Sequence, residues 1–146
     1  MVGKKEYTRE MRFFLAKTDP STYGIADLER EGTASWTGVR NPQAVKFLKA
    51  MEKGDRVLIY HTQGESAIVG LAEVVGNSRP DPKDDHSWLV DFKFIRRFQA
   101  PFVTLKLIKD TGLFSDFRLV YQSRLSTMDV PEKFVDWLKQ RGLDLS

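Results

Sequence analysis

Asp55-Arg56-Val57-Leu58-Ile59-Tyr60-His61, the turn Gln63-Gly64-Glu65-Ser66, and the returning run Ala67-Ile68-Val69-Gly70-Leu71-Ala72-Glu73-Val74-Val75 decide how the chain is read. The first run is short, apolar and β-forming in its middle, and bounded by polar residues, so it reads as a strand. The second run reads as its return. Gly70 lies in the middle of that strand, where a bulge or a barrel bend is the usual reason for a glycine.

Working outward, Met11-Arg12-Phe13-Phe14-Leu15-Ala16 is nearly continuous in apolar residues and predicts a central first strand. Pro20 stops it, and Ser21 or Thr22 is expected to cap a short helix over Ile25–Arg30, closed by Gly32. Asn41 is a good N-cap and Pro42 fits a first helical position, so a helix is expected from Pro42 to about Lys53. Downstream, a Pro- and Asp-rich loop spans residues 76–85. Alternation over Trp88–Phe98 predicts another strand, and Thr104 caps a helix over Leu105–Lys109. Residues 113–124 read as loop with a short helical turn, Leu125–Val130 as a last strand, and Pro131-Glu132 as the start of a C-terminal helix. The expectation is an α+β fold: a small mixed barrel of about five to six strands with short helices outside it. Residues 1–11 are expected to be a frayed tail and 12–146 a single domain.

The chain has 146 residues, 41% hydrophobic and 29% charged, in the ordinary range of globular domains. No apolar run approaches the roughly 18–20 residues of a membrane span, so no membrane partner is expected. Cysteine is absent, which excludes a disulfide framework, a thiolate nucleophile and a Cys-based zinc site. The net charge of +3 is a mild bias, but the cations are grouped. Lys93, Arg96, Arg97, Lys106 and Lys109 follow one another without an intervening acid, and Arg40, Lys46, Lys49, Lys53 and Arg56 form a second group. An acidic loop, Asp81, Asp84 and Asp85, stands against them. Such a surface can track a phosphate backbone, although each group alone is as well explained as a solvated face.

No GxGxxG, P-loop or GxSxG pattern is present, and His61 and His86 have no metal-ligand spacing. Neither a cofactor nor a metal is therefore expected. Trp36-Thr37-Gly38-Val39-Arg40-Asn41-Pro42 reads as a loop that puts an indole, a guanidinium and an amide beside a capped helix. Trp36 there is equally well explained as a core aromatic and Arg40 as a surface charge. His61 closes a strand, as do Lys17, Thr18 and Asp19, while Arg124 and Ser126 open the last one. If these ends cluster, Trp36 walls a pocket whose polar rim is Thr18, Asp19, Arg40, Asn41, His61, Thr62, Arg124 and Ser126. An indole stacks on the face of a base, and polar side chains read its edge.

Several ordered motifs carry a family resemblance. They are Phe14-Leu15-Ala16-Lys17-Thr18-Asp19-Pro20, then Tyr23-Gly24-Ile25-Ala26-Asp27-Leu28, and Trp36-Thr37-Gly38-Val39-Arg40-Asn41-Pro42-Gln43-Ala44. Met51-Glu52-Lys53-Gly54-Asp55 follows, with Ile59-Tyr60-His61-Thr62, Ile68-Val69-Gly70-Leu71-Ala72-Glu73-Val74 and Arg124-Leu125-Ser126. From about Arg12 to Leu138 the chain resembles the EVE domain family of the PUA-like superfamily. The resemblance implies a PUA-like pseudo-barrel and a non-enzymatic reader of a modified nucleobase. The base would be of the 5-methylcytosine or 5-hydroxymethylcytosine type in DNA, or a modified base in RNA. The related YTH domains hold a methylated base in an aromatic cage. By that resemblance a flipped base would stack on Trp36, with Tyr60 as a second wall. Thr18, Asp19, Asn41 and His61 would meet the base's edge, and Lys17, Arg40 and Arg124 phosphate or sugar. Two positions depart from the family pattern: Thr37 replaces the usual aspartate after the tryptophan, and Thr18-Asp19 replaces a serine–glutamate pair.

The protein is expected to act as a monomer in the cytoplasm, or in the nucleus if the source is eukaryotic. One alternative keeps the pocket but fills it with a small molecule or nucleotide metabolite. Another uses His61 and Asp19 together as a general base pair.

Overall fold

A computed structural model describes residues 10–146. The expected tail falls largely on residues 1–9, outside the described residues; Glu10 and Met11 belong to no helix or strand.

The elements follow in order as β1 (Phe13–Thr18), α1 (Ile25–Glu31), β2 (Thr33–Val39), α2 (Pro42–Ala50), β3 (Arg56–His61) and β4 (Ala67–Val74). They continue as β5 (Arg79–Asp81), β6 (Asp84–Arg97), β7 (Val103–Thr104), α3 (Leu105–Thr111), α4 (Arg118–Tyr121), β8 (Thr127–Asp129) and α5 (Glu132–Gln140). Six strands form one continuous order, β2-β6-β4-β3-β1-β8, with β5 added on β6 and β7 on β4. Among the described residues only the β1–β3 pair is parallel; Phe13 lies opposite Arg56 and Thr18 opposite His61. The sheet curls into a half-barrel with the short helices around it, the PUA-like α+β architecture expected.

The β3–β4 hairpin sits at the centre, as its apolar runs dictate. Gly70 is required by close packing: a Cβ there would lie 2.8 Å from Ile25 Cγ1 and 3.0 Å from the Arg96 carbonyl. The missing side chain thus lets α1 dock on the sheet. The pairing register also shifts on both sides of this strand, between Ile59 and Tyr60 and between Leu71 and Ala72. These shifts add the local twist that a curled sheet needs.

Four local expectations are corrected. Residues 33–39 are a strand, not a loop. Ala34 and Trp36 alternate normally, but Trp36 pairs with Val90 and Val39 with Trp88, so β2 holds one extra residue. Gly38, at φ +83°, absorbs it. This bulge turns Trp36 and Val39 to the same buried side, although three residues apart they would face opposite sides of a regular strand. Second, neither Ser21 nor Thr22 caps α1. Ser21 is held by the Asp19 carboxylate instead, and the cap position is Gly24, whose N–H donates to Asp27 Oδ2 at 2.7 Å. Third, α2 stops at Ala50. Met51 is extended, and the buried Asp55 takes the Glu52 N–H at 2.8 Å and the Arg12 N–H at 3.0 Å, which fixes the turn into β3. Fourth, the Pro- and Asp-rich loop contains β5 and makes a hairpin with β6.

Asn41 caps α2 as its sequence predicts, accepting from the Gln43 and Ala44 N–H groups at 2.9 and 3.0 Å. Among the described residues no helix is long and apolar enough to cross a membrane.

Candidate nucleic-acid interface

The two ends of the strand order do not meet. Where the half-barrel stays open, between β2 and the end of β1 with Ser126, lies a cleft of about 550 Å³. Five of the sequence-predicted residues line it: Lys17, Thr18, Trp36, Arg40 and Ser126. The bulge of β2 places Trp36 there, Arg40 directly follows that strand, and the ends of β1 and of the segment before β8 bring Lys17, Thr18 and Ser126.

Trp36 serves the core as well as the cleft. It is 8% exposed and rests on Phe92, centroid to centroid 5.0 Å, at 32°. Tyr23 meets it edge-on at 6.0 Å and 82°. The second aromatic of the cleft is therefore Tyr23, which precedes the N-cap of α1. Its phenol donates to Glu31 Oε1 at 2.8 Å. Burial, then that hydrogen bond and the charge of Glu31, push the Tyr23 hydroxyl pKa well above its ordinary value, so it stays a protonated donor. Tyr23 and Glu31 were not among the candidates. The legible signal was Tyr23 within the Tyr23-Gly24-Ile25 motif; no periodicity points to Glu31.

Two cations flank the cleft. Lys17 Nζ donates to the Ser123 carbonyl at 2.9 Å and lies 5.7 Å from the centroid of Tyr60. Partial burial lowers its pKa from the usual lysine value. Arg40 is exposed, and its Nε lies 3.1 Å from Asp84 Oδ2 at the tip of the β5–β6 hairpin. Thr18 Oγ1 donates to the Tyr23 carbonyl, which ties β1 to the aromatic wall.

The other six candidates lie outside this cleft. Tyr60 is only 3% exposed and packs in the core below Lys17. That burial makes it no second wall. His61 Nε2 accepts the Ile25 N–H at 3.1 Å, which makes it a brace for the start of α1. Burial first and the Arg97 charge second lower its pKa, as suits a neutral imidazole that must accept. Asp19 holds Ser21 through its N–H at 2.9 Å and its hydroxyl at 2.7 Å; those bonds lower its pKa. His61 and Asp19 are thus each bound to other groups and do not form a hydrogen-bonded pair. Thr62 bonds back to the Thr18 carbonyl through its N–H at 3.0 Å. Asn41 is occupied as a cap, and with Arg124 it lines a shallow neighbouring depression. There Gln43 and Gln122 exchange two amide hydrogen bonds of 3.1 and 3.0 Å.

The EVE domain family model matches residues 12–141. This chain belongs to the EVE domain family. Mouse thymocyte nuclear protein 1 is 28% identical to this EVE domain; the alignment covers 86% of the chain and 71% of the mouse protein. A solved protein of Agrobacterium tumefaciens is 30% identical, with a TM-score of 0.82 over 90% of this chain and 94% of that one. Human THYN1, solved in complex with DNA containing 5-methylcytosine, shares the fold. Its TM-score is 0.79 at 23% identity, over 91% of this chain and 99% of that one. Placed in this EVE domain, the cleft has an aromatic wall on one side and cations at its mouth. That combination suits a flat ring carrying a phosphate.

Proposed function

We propose that this protein is a non-enzymatic reader of a modified nucleobase in DNA or RNA, which takes a single base into the cleft beside Trp36. The observation that carries this reading is the placement of Trp36 and Tyr23 in the gap of the half-barrel with Lys17 and Arg40 beside them. The shared fold of human THYN1, solved with 5-methylcytosine DNA, supports it. A base inside a duplex cannot reach a cleft of this kind unless it leaves the stack, so flipping or a single-stranded target is required. The rings of Trp36 and Tyr23 contact the base, Ser126 and Thr18 lie along its polar edge, and Lys17 and Arg40 face the backbone.

The test is titration of matched oligonucleotides, with and without a base modification, against wild type, Trp36→Ala and Tyr23→Ala. Trp36 is largely core, and its truncation costs about 3–5 kcal/mol of stability. The less buried Tyr23 therefore supplies the cleaner variant. Wild type is expected to prefer one modified base, and loss of the Tyr23 ring to weaken binding by roughly 1–3 kcal/mol. Equal affinity of all three proteins for every oligonucleotide would sink the reading. Steep weakening with salt marks a polynucleotide, whereas a small-molecule ligand responds far less.

A further inference from the structure

Among the described residues the cleft is lined by one acidic side chain, Glu31, at the end of α1. Tyr23 fixes one of its oxygens, Oε1, at 2.8 Å, while Oε2 accepts no hydrogen bond among the described residues. The Tyr23 ring is itself set against the edge of Trp36. The site thus presents an oriented carboxylate oxygen beside its aromatic wall, in a cleft whose other charges are cations.

A carboxylate is acceptor-only. It takes a hydrogen bond from an amino group and repels a carbonyl. We infer that Glu31, positioned by Tyr23, determines base specificity. Its free oxygen accepts the exocyclic amino N–H of the bound base, so the cleft selects amino-bearing bases, of the cytosine or adenine type, over keto-bearing ones, of the thymine or uracil type. Glutamate and aspartate accept from cytosine N4 by the same chemistry in duplex recognition. The ring N–H of thymine gives no equal substitute, because carbonyls flank it on both sides and face the same negative charge. The inference rests on the reader function proposed above and names the class of base read.

5-Methylcytosine and thymine are the matched probes, since they have the same ring substituent and differ at the pairing edge, amino against carbonyl. Single-stranded oligonucleotides carrying one or the other at a single position are titrated against wild type, Glu31→Gln, Glu31→Ala and Tyr23→Phe. Wild type is expected to bind the 5-methylcytosine strand roughly 5- to 150-fold more tightly, the span of one good base-edge contact. In Glu31→Gln, whose amide can also donate to a carbonyl, the ratio should fall close to one, chiefly through tighter thymine binding. Glu31→Ala should lose the ratio through weaker 5-methylcytosine binding, and Tyr23→Phe should reduce it while keeping the ring. Glu31 is exposed, so its two variants should melt with wild type. A ratio unchanged in Glu31→Gln overturns the assignment. So does a wild-type ratio of one while Tyr23→Ala weakens both strands, an outcome that leaves the reader function standing. No binding of either strand, or of any other modified oligonucleotide, overturns the reader function and this assignment with it.

Discussion

His61 and Asn41 show how a residue type suited to ligand binding is used for scaffolding. Both are polar, both end or begin an element, and both hold the start of a helix: His61 accepts the Ile25 N–H of α1, and Asn41 accepts two N–H groups of α2. The His61 bond requires a neutral Nε2, so proton uptake breaks it. Its folded pKa is depressed, by burial and then by Arg97, below the ordinary 6.5. Above that value both folded and unfolded chains hold a neutral imidazole, and the contribution is fully present. As pH falls below about 6.5 the unfolded chain takes up the proton first, and stability is lost down to the folded pKa. Thermal melts of wild type and His61→Gln from pH 8 to pH 5 check this. Wild type should lose more stability across the range, and parallel curves would refute the assigned role.

At the scale of the element, β2 lines more of the cleft than any other element, and its bulge decides which of its side chains face inward. Gly38 holds the bulge at φ +83°, and a Cβ there would touch nothing within 4 Å. Gly38→Ala therefore isolates backbone strain from crowding. It should cost about 1–2 kcal/mol in chemical denaturation. Because relief of that strain shifts Trp36 relative to Val39, oligonucleotide affinity should fall as well. Unchanged stability together with unchanged affinity would mean that the bulge does not position the site. The same element explains what was illegible in the sequence. Trp36 and Val39 are three apart, which breaks the two-residue period of a strand and reads as a loop. Only the pairing with Val90 and Trp88 on β6 exposes the extra residue.

For the whole molecule, charge is placed by the fold rather than by neighbours in sequence. Asp84, on a hairpin that starts forty residues after the cleft's own strand, closes on Arg40 at 3.1 Å. A phosphate at the cleft mouth must compete with that carboxylate. Asp84→Asn should therefore tighten polynucleotide binding and steepen its salt dependence by about one unit of log K per log salt. Affinity and salt slope equal to those of wild type would place Arg40 away from the backbone. The sequence by itself determined most of the elements, though not β2, β5 or β7, and it determined the family. Apolar runs defined β1, β3 and β4, Asn41-Pro42 and Thr104 marked helix starts, and ordered motifs from Arg12 to Leu138 identified the EVE domain. These signals are local, carried by period, caps and spacing. The tertiary structure alone decided which polar residues face the cleft. Lys17, Thr18, Trp36, Arg40 and Ser126 converge there, whereas Tyr60, His61 and Asn41 turn to the core or to helix ends, and Glu31 enters from the end of α1 with Tyr23 from the segment before it. The physical reason is that a side chain's direction follows from register, bulges and competing hydrogen-bond partners, and those partners lie far away in sequence.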